Sequence, residues 1–394
     1  MRIGIYGGSF NPPHKGHTSS AATAAKCIGL DRLIVIPSGM PPHKTFPKGT
    51  PSPEGRLEMT RLAFRDVENC EISDIELRRA GESYTIDTLR EISDINPGAE
   101  LFLIVGTDMF LTLREWKDAD EILRLATPVV TLRRADIKAE ITDEIARQTE
   151  LGATPGLIEN DIVEISSSQL RSGFPERNFT WHIDERVYSY IIERGLYGAK
   201  PNFDWLRFEA YKRLSPERRI HVAGCEAEAV RLADRWDEDA DEAREAAILH
   251  DITKKLTAEE QLALCAQYGI SITDEMREIP KILHGHTAAE IASASFAASD
   301  AVKSAIKWHT TAHDGMTTLD KIIYIADTIE PNRDFDGVNE LRRLAYSNLD
   351  AAVLACIDTV IKELLTDGRR IDTNTLAAAR SINPDYNPAD YKPN

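Results

Sequence analysis

The run Gly7-Gly8-Ser9-Phe10-Asn11-Pro12-Pro13-His14-Lys15-Gly16-His17 gathers the residue types that phosphate chemistry needs. A β-branched run at 2–6 precedes it and an alanine-rich stretch at 18–27 follows, which reads as strand, glycine turn and helix. Glycines let backbone amides approach a ligand and a helix N-terminus favours anions, so the run suits a phosphate cradle. His14 and His17 lie three apart at the helix start and project toward one spot. Two imidazoles aimed at phosphate would stabilise the charge that gathers when a nucleotidyl group is transferred. The competing reading is that two polar residues simply cap a helix.

A second set of reactive residues lies in the other half: His221, the pair His250-Asp251, His284, His286, His309, His313 and Asp327. Neutral imidazoles with carboxylates form a hard-to-borderline ligand set suited to Fe, Mn, Co or Zn. Asp327 falls inside the apolar run 322–329, where an unpaired buried carboxylate would be costly and a metal or an ion pair would relieve the cost. The alternative is that these are helix histidines satisfied by hydrogen bonds.

The elements that must position these residues differ between the halves. In the first, short apolar runs at 33–37, 71–75, 101–106, 127–132 and 161–165 alternate with helical patterns at 54–64, 85–92 and 118–125. That alternation predicts an α/β, doubly wound parallel sheet with ligands at the carboxyl ends of its strands. Near 198–204 the character changes, and helical patterns alone continue to about 380. We therefore expect domains at 1–198 and 204–380, the second all-α, and a loose Pro-, Asn- and Asp-rich tail at 381–394.

The first run resembles the (T/H)xGH signature of the nucleotidyltransferase superfamily and is similar to that of bacterial nicotinate-mononucleotide adenylyltransferases, although Asn11 stands where Asp is frequent. Four later segments follow in the family's order. The loop 37–44 ends in Pro-His-Lys, with Lys44 as a point charge for phosphate or else a surface lysine. Ser83-Tyr84-Thr85 resembles the segment contacting the mononucleotide, though Thr85 is also chemically suited to cap its helix. Gly106 and Asp108 follow a strand, where the resemblance implies close backbone approach and a sugar contact. Trp116 offers a face on which a pyridine ring could stack, or fills core space. Finally, Ser166-Ser167-Ser168-Gln169-Leu170-Arg171 places hydroxyls and an arginine where a triphosphate or departing pyrophosphate would sit.

The resemblance covers 1–198, departing at Arg133-Arg134 and in the polar stretch 136–160. It implies a Rossmann-like nucleotidyltransferase in which His14, His17, Lys44 and Arg171 are catalytic. Substrate contacts would come from Gly7, Gly8, Ser9, Phe10, Thr85, Gly106, Asp108, Trp116, Ser167 and Ser168. ATP with Mg2+ and nicotinate mononucleotide would react to give deamido-NAD and pyrophosphate. A nucleotidyltransferase acting on phosphopantetheine or a cytidylyl substrate is the runner-up.

In the second half the strings at 248–254, 283–285, 308–311 and 319–331 resemble the HD metal-dependent phosphohydrolases. They are most similar to the bacterial YqeK-type enzymes that split diadenosine tetraphosphate symmetrically. This resemblance implies a two-metal centre, divalent or mixed-valence, of Fe or else Mn or Co, held by His221, His250, Asp251, His284, His309 and Asp327. Lys254 and Arg333 would contact phosphate, His286 and His313 are incidental, and Ala312 stands where glycine is usual. Hydrolysis at the central phosphate pair of a dinucleoside polyphosphate would release two ADP. A phosphatase of alarmones or mononucleotides, or a nucleotide sensor without hydrolysis, stays open.

Composition sets the outer bounds. Charged residues at 28% and hydrophobic ones at 42% are ordinary for a globular protein, and a net charge of −17 argues against nucleic acid or anionic membrane as partner. Cys27, Cys70, Cys225, Cys265 and Cys356 are scattered without a C-x-x-C pair, which favours reduced thiols and a cytoplasmic location. No signal peptide is read before the first strand, and the longest apolar run, 101–105, is far too short to span a bilayer. Homo-oligomerisation and coupling between the two sites are left open.

Overall fold

Strands β1 (Arg2–Gly8), β2 (Arg32–Pro37), β3 (Cys70–Ile72), β4 (Glu100–Gly106), β5 (Ala126–Thr131) and β6 (Gly156–Ile158) form one all-parallel sheet in the order β3-β2-β1-β4-β5-β6. Continuous apolar runs such as Leu33-Ile34-Val35-Ile36 are buried on both faces, as a sheet covered by crossover helices requires. This computed structural model describes residues 1–40, 46–79, 81–132, 138–150, 154–159, 163–178 and 180–388. The chain divides into two compact units, Met1–Lys200 and Pro201–Asn394.

The first unit's helices are α1 (Lys15–Ile28), α2 (Pro53–Phe64), α3 (Thr85–Ile95), α4 (Thr107–Leu111), α5 (Ala119–Leu125), α6 (Lys138–Glu150), α7 (Ser167–Gly173) and α8 (Glu185–Glu193). Two readings need correction. Of the strand expected at 161–165, residues 161–162 lie outside the described residues and 163–165 are not strand: the sixth strand lies at Gly156–Ile158, and the amide of Ile165 donates to the carbonyl of Val163 in a tight local turn no ladder accommodates. The polar stretch 136–160, unassigned from sequence, contains α6, whose buried side chains are Ile141, Glu144 and Gln148, only the first of them apolar.

The second unit is helical throughout its described residues. Its helices are α9 (Phe203–Tyr211), α10 (Pro216–Trp236), α11 (Ala240–Leu249), α12 (Ala258–Tyr268), α13 (Asp274–Glu278), α14 (Leu283–Phe296), α15 (Asp300–Trp308), α16 (Thr318–Ile329), α17 (Val338–Ala345), α18 (Leu349–Thr366) and α19 (Thr373–Ile382). Leu232, Ile248, Ala289, Ile306, Ile322 and Val353 join five of these helices and α18 in one core. The tail is not loose from its start: Tyr386 is buried and its hydroxyl donates to Asp358 Oδ1 at 2.7 Å. No helix among the described residues is long and apolar enough to cross a membrane.

Candidate active sites

In the first unit the strand order reverses between β1 and β4, and in doubly wound sheets ligands bind at the carboxyl ends beside such a switch point. Gly7 and Gly8 end β1, and Gly106 ends β4. A Cβ on Gly8 would stand 3.0 Å from the Phe10 ring, whereas the space around Gly7 is open. Phe10 itself has a left-handed φ of 41° and is fully buried, edge-on to the His17 ring at 5.2 Å. Its ring is packed inside, so it is the Phe10 backbone that faces the glycine turn.

His14 occupies the cap position of α1 and His17 its third residue. The His14 amide donates to His17 Nδ1 at 3.1 Å, and the ring centroids are 3.7 Å apart. An accepting Nδ1 puts the His17 proton on Nε2, on the opposite edge of the ring.

The second phosphate element docks on the first. Ser166 caps α7 through its own side chain, while Ser167 Oγ donates to the carbonyl of Pro12 at 2.9 Å. Arg171 Nη1 donates to the carbonyl of Asn11 at 2.6 Å, and its Nη2 to Ser168 Oγ at 2.9 Å. Asn11 is fixed in turn, accepting from Tyr197 Oη at 2.7 Å and donating to Thr50 Oγ1 at 2.9 Å. Arg56 escaped the sequence reading. It is 2% exposed, donates through Nη1 to the Ser9 carbonyl at 3.0 Å, and lies over the Phe46 ring. Burial lowers its pKa. An arginine on the apolar side of an amphipathic helix, beside Leu57 and Met59, was the available signal.

The remaining expected contacts come from other elements. Asp108 is exposed in α4, and Trp116 is half-buried against the sheet core. Thr85 is the first residue of α3 while Tyr84 holds the cap position, so the capping role suggested for Thr85 is not the one it has. Lys44 lies outside the described residues.

In the second unit five helices bring the expected ligands to one point. His221 lies within α10, His250 and His309 end α11 and α15, His284 lies in the first turn of α14, and Asp327 comes from α16. Three rings are locked by their own helices: Nδ1 of His250 donates to Ala247 O, that of His309 to Ile306 O, each at 2.7 Å, and that of His284 to Lys281 O. His221 Nδ1 instead faces Glu330 Oε1 at 3.2 Å. Each arrangement leaves Nε2 as the free donor atom, the division of labour found in metal-binding histidines.

These nitrogens converge on two carboxylates. His221 Nε2 is 2.9 Å from Asp327 Oδ1; Asp251 lies 3.4 Å from His250 Nε2, 3.2 Å from His284 Nε2 and 3.5 Å from His309 Nε2. Asp251 is 1% exposed, whereas the Asp327 side chain is 24% exposed. Asp251 is thus buried, as the apolar residues before it on α11 lead one to expect, while Asp327 is more open than its apolar run suggested. A cleft of about 330 Å³ opens beside them, lined by Arg218, His221, Glu330, Asn332 and Arg333 among others.

The set fits metal ions. His284 Nε2 and His309 Nε2 face each other at 3.0 Å. With both Nδ1 atoms donating, these are two facing lone pairs, with Thr310 Oγ1 3.2 Å from each, and nitrogens bound cis to one ion at about 2.1 Å would likewise be about 3 Å apart. His250 Nε2 and both Asp251 oxygens are buried without a hydrogen-bond partner. Burial opposes the charge of Asp251, yet His250, His284 and His309 hold its carboxyl well below the usual range. Burial pulls His284 down to about 4. A neutral imidazole beside an ionised carboxylate is the protonation state that metal binding needs. Burial also opposes a charge on His250, but Asp251 and Asp327 raise its pKa, a measure of the negative potential a cation would answer.

Lys254 and Arg333 are both at the cluster. Lys254 Nζ is 3.0 Å from His284 Nε2, and Arg333 Nη2 is 3.1 Å from Asp327 Oδ1. Sequence reasoning missed Arg218, whose Nη1 is 2.9 Å from Asp251 Oδ2, and Glu330, 2% exposed. Gly224 lets α10 reach Glu330, since a Cβ there would meet its Oε2 at 2.2 Å. His286 and His313 pack on Trp308, with His313 facing Asp320 Oδ2 at 3.3 Å. Ala312 has a left-handed φ of 59°, the physical reason glycine suits that position.

A 3-2-1-4-5-6 parallel sheet with paired histidines at its switch point defines a nucleotidyltransferase fold. A helical His/Asp cluster of this kind defines an HD-type phosphohydrolase. The protein is an enzyme that joins the two classes. Residues 5–173 match the cytidylyltransferase-like family and residues 218–332 the HD domain. The first half is 34% identical over 199 residues to the "probable nicotinate-nucleotide adenylyltransferase" of Listeria monocytogenes, covering 98% of that protein and 50% of this chain. It is 36% identical over 198 residues to the Desulfitobacterium hafniense protein of the same description, covering 95% of it and 50% of this chain. A solved structure from Clostridium acetobutylicum, a predicted HD superfamily hydrolase involved in NAD metabolism, is 34% identical, with all of that chain and 48% of this one covered and a TM-score of 0.46. Through its first half the chain belongs to the nicotinate-nucleotide adenylyltransferase family, and its second half carries an HD domain.

Proposed function

We propose that residues 1–198 transfer the adenylyl group of ATP to nicotinate mononucleotide, and that residues 204–380 hydrolyse diadenosine tetraphosphate at its centre to two ADP. The cytoplasm is the compartment that scattered, unpaired cysteines favour for both activities. The observation that carries the first is the docking of Ser167 and Arg171 onto the Asn11-Pro12 turn beside His14 and His17. Donors from two ends of a 200-residue unit then face one space at a helix N-terminus. A phosphate oxygen of the mononucleotide attacks the α-phosphorus in line and pyrophosphate leaves, with no covalent intermediate on the enzyme. His14 and His17 hold the α-phosphate oxygens, while Ser168, Arg171 and Lys44 hold the outer phosphates. Mg2+ bound with ATP supplies further charge neutralisation. Release of pyrophosphate with deamido-NAD as product tests this reading, and nicotinamide mononucleotide is the control acceptor.

The observation that carries the second is the convergence of four imidazole Nε2 atoms on Asp251 and Asp327 beside an arginine-lined cleft. His221, His250, Asp251, His284, His309 and Asp327 would hold the ions, with iron the expected metal, and the ions would supply Lewis-acid activation for phosphoanhydride hydrolysis. Arg218 and Arg333 rim the cleft and bind the polyphosphate, Lys254 adds a charge at the buried end, and Glu330 orients His221. Product analysis after adding diadenosine tetraphosphate to iron- or manganese-loaded protein tests it. ADP alone, lost in His250→Ala and Asp251→Ala, supports central cleavage; ATP plus AMP refutes the symmetric register; absence of turnover favours a sensor or another HD phosphatase.

A further inference from the structure

Cys225 lies one helical turn beyond His221 on α10, is 2% exposed, and has its sulfur 3.4 Å from His221 Nε2. One ligand atom from each of His221, Cys225, His250 and Asp327 lies within 4.8 Å of all the others. The ordinary reading of a buried free cysteine is a small apolar filler. Two observations oppose it here. The His250 Nε2 aimed into the same space is buried without a hydrogen-bond partner. The spacing is also that of shared coordination: an imidazole nitrogen at about 2.1 Å and a thiolate at about 2.3 Å from one ion stand about 3.1 to 3.6 Å apart, for angles between right and tetrahedral.

We propose that Cys225 Sγ is a metal ligand, completing with His221, His250 and Asp327 a position of two nitrogens, one oxygen and one sulfur. This rests on the metal-centre reading above. Binding expels the thiol proton to solvent and moves no electron. The neighbouring position, around Asp251, His284 and His309, offers nitrogen and oxygen alone. The centre is therefore asymmetric: one position is softened by sulfur and prefers later or softer ions, and the other accepts Mn2+ readily.

The test is a titration of chelator-stripped full-length protein with Co2+ alone, followed by absorption. Visible ligand-field bands report cobalt in the centre, and a near-ultraviolet sulfur-to-cobalt charge-transfer band reports Cys225. Wild type should show both, while Cys225→Ser and Cys225→Val, verified as folded by circular dichroism, should keep the visible bands and lose the ultraviolet one. Affinity for Cd2+ should drop on the order of tenfold in Cys225→Val, with Mn2+ affinity little changed. Visible bands without a charge-transfer band in wild type, or a band that survives in both variants, would overturn the assignment and leave the metal centre standing. Absence of bound cobalt would overturn both.

Discussion

His17 can be a helix cap, a phosphate ligand, or both, and one substitution separates these roles. In the structure its Nδ1 accepts the His14 amide, which is one of the helix's unsatisfied donors. Loss of such a bond costs about 0.5–2 kcal/mol of stability, or about 2–4 °C per kcal/mol for a unit of this size. Glutamine is the natural residue for this third helical position, because its side-chain oxygen can accept the same amide. It has no imidazole N–H to offer where Nε2 stands. His17→Gln should therefore melt within a few degrees of wild type, while kcat for pyrophosphate release from ATP and nicotinate mononucleotide falls by about 10²–10³, the worth of one positioned donor on transition-state charge. His17→Ala should lose both the stability and the activity. If the folded glutamine variant turned over within about threefold of wild type, His17 would be a cap alone and the charge-stabilising argument would be wrong.

Three further outcomes follow from the second unit. Glu330→Gln keeps the shape of the group facing His221 Nδ1 but removes its charge, so metal affinity should fall about 10–100-fold in competition with a chromophoric chelator while adenylyl transfer is unaffected; an unchanged affinity would contradict the orienting role. Gly224→Ala forces a Cβ to within 2.2 Å of Glu330 Oε2, which should destabilise the unit by about 1–3 kcal/mol in denaturant unfolding and depress hydrolysis. Burial holds His286 at about 4, below its ordinary 6.5. The unfolded chain then binds the extra proton first, so stability present above pH 6.5 is lost as pH falls through that window, by at most about 3 kcal/mol from this group. Thermal unfolding between pH 7 and pH 4.5 should fall more steeply for wild type than for His286→Gln, and parallel curves would refute it.

Expectations that rested on near neighbours in sequence fared differently from those that rested on distant ones. β2, β4 and β5 were legible to within a residue because a parallel strand buried on both faces needs an unbroken apolar run. β6 and α6 were not: the first is three residues long, and the second buries one apolar side chain, Ile141, beside the polar Glu144 and Gln148. The residues expected as HD ligands were readable as a set by resemblance, whereas Arg218 and Glu330 carried no spacing that marks them.

Sequence by itself determined the α/β-then-α order and the loop that places His14 and His17 at a helix start. Those features depend on backbone preferences and on contacts three or four residues long, which the chain writes locally. Tertiary structure alone decided that Arg171 ties its helix to Asn11, 160 residues away, that His221 is oriented by Glu330, and that Asp327 is more open than its apolar run suggested. Such pairings exist only once helices and strands have packed. A side chain's partner and its access to water belong to the space between elements, not to the elements themselves.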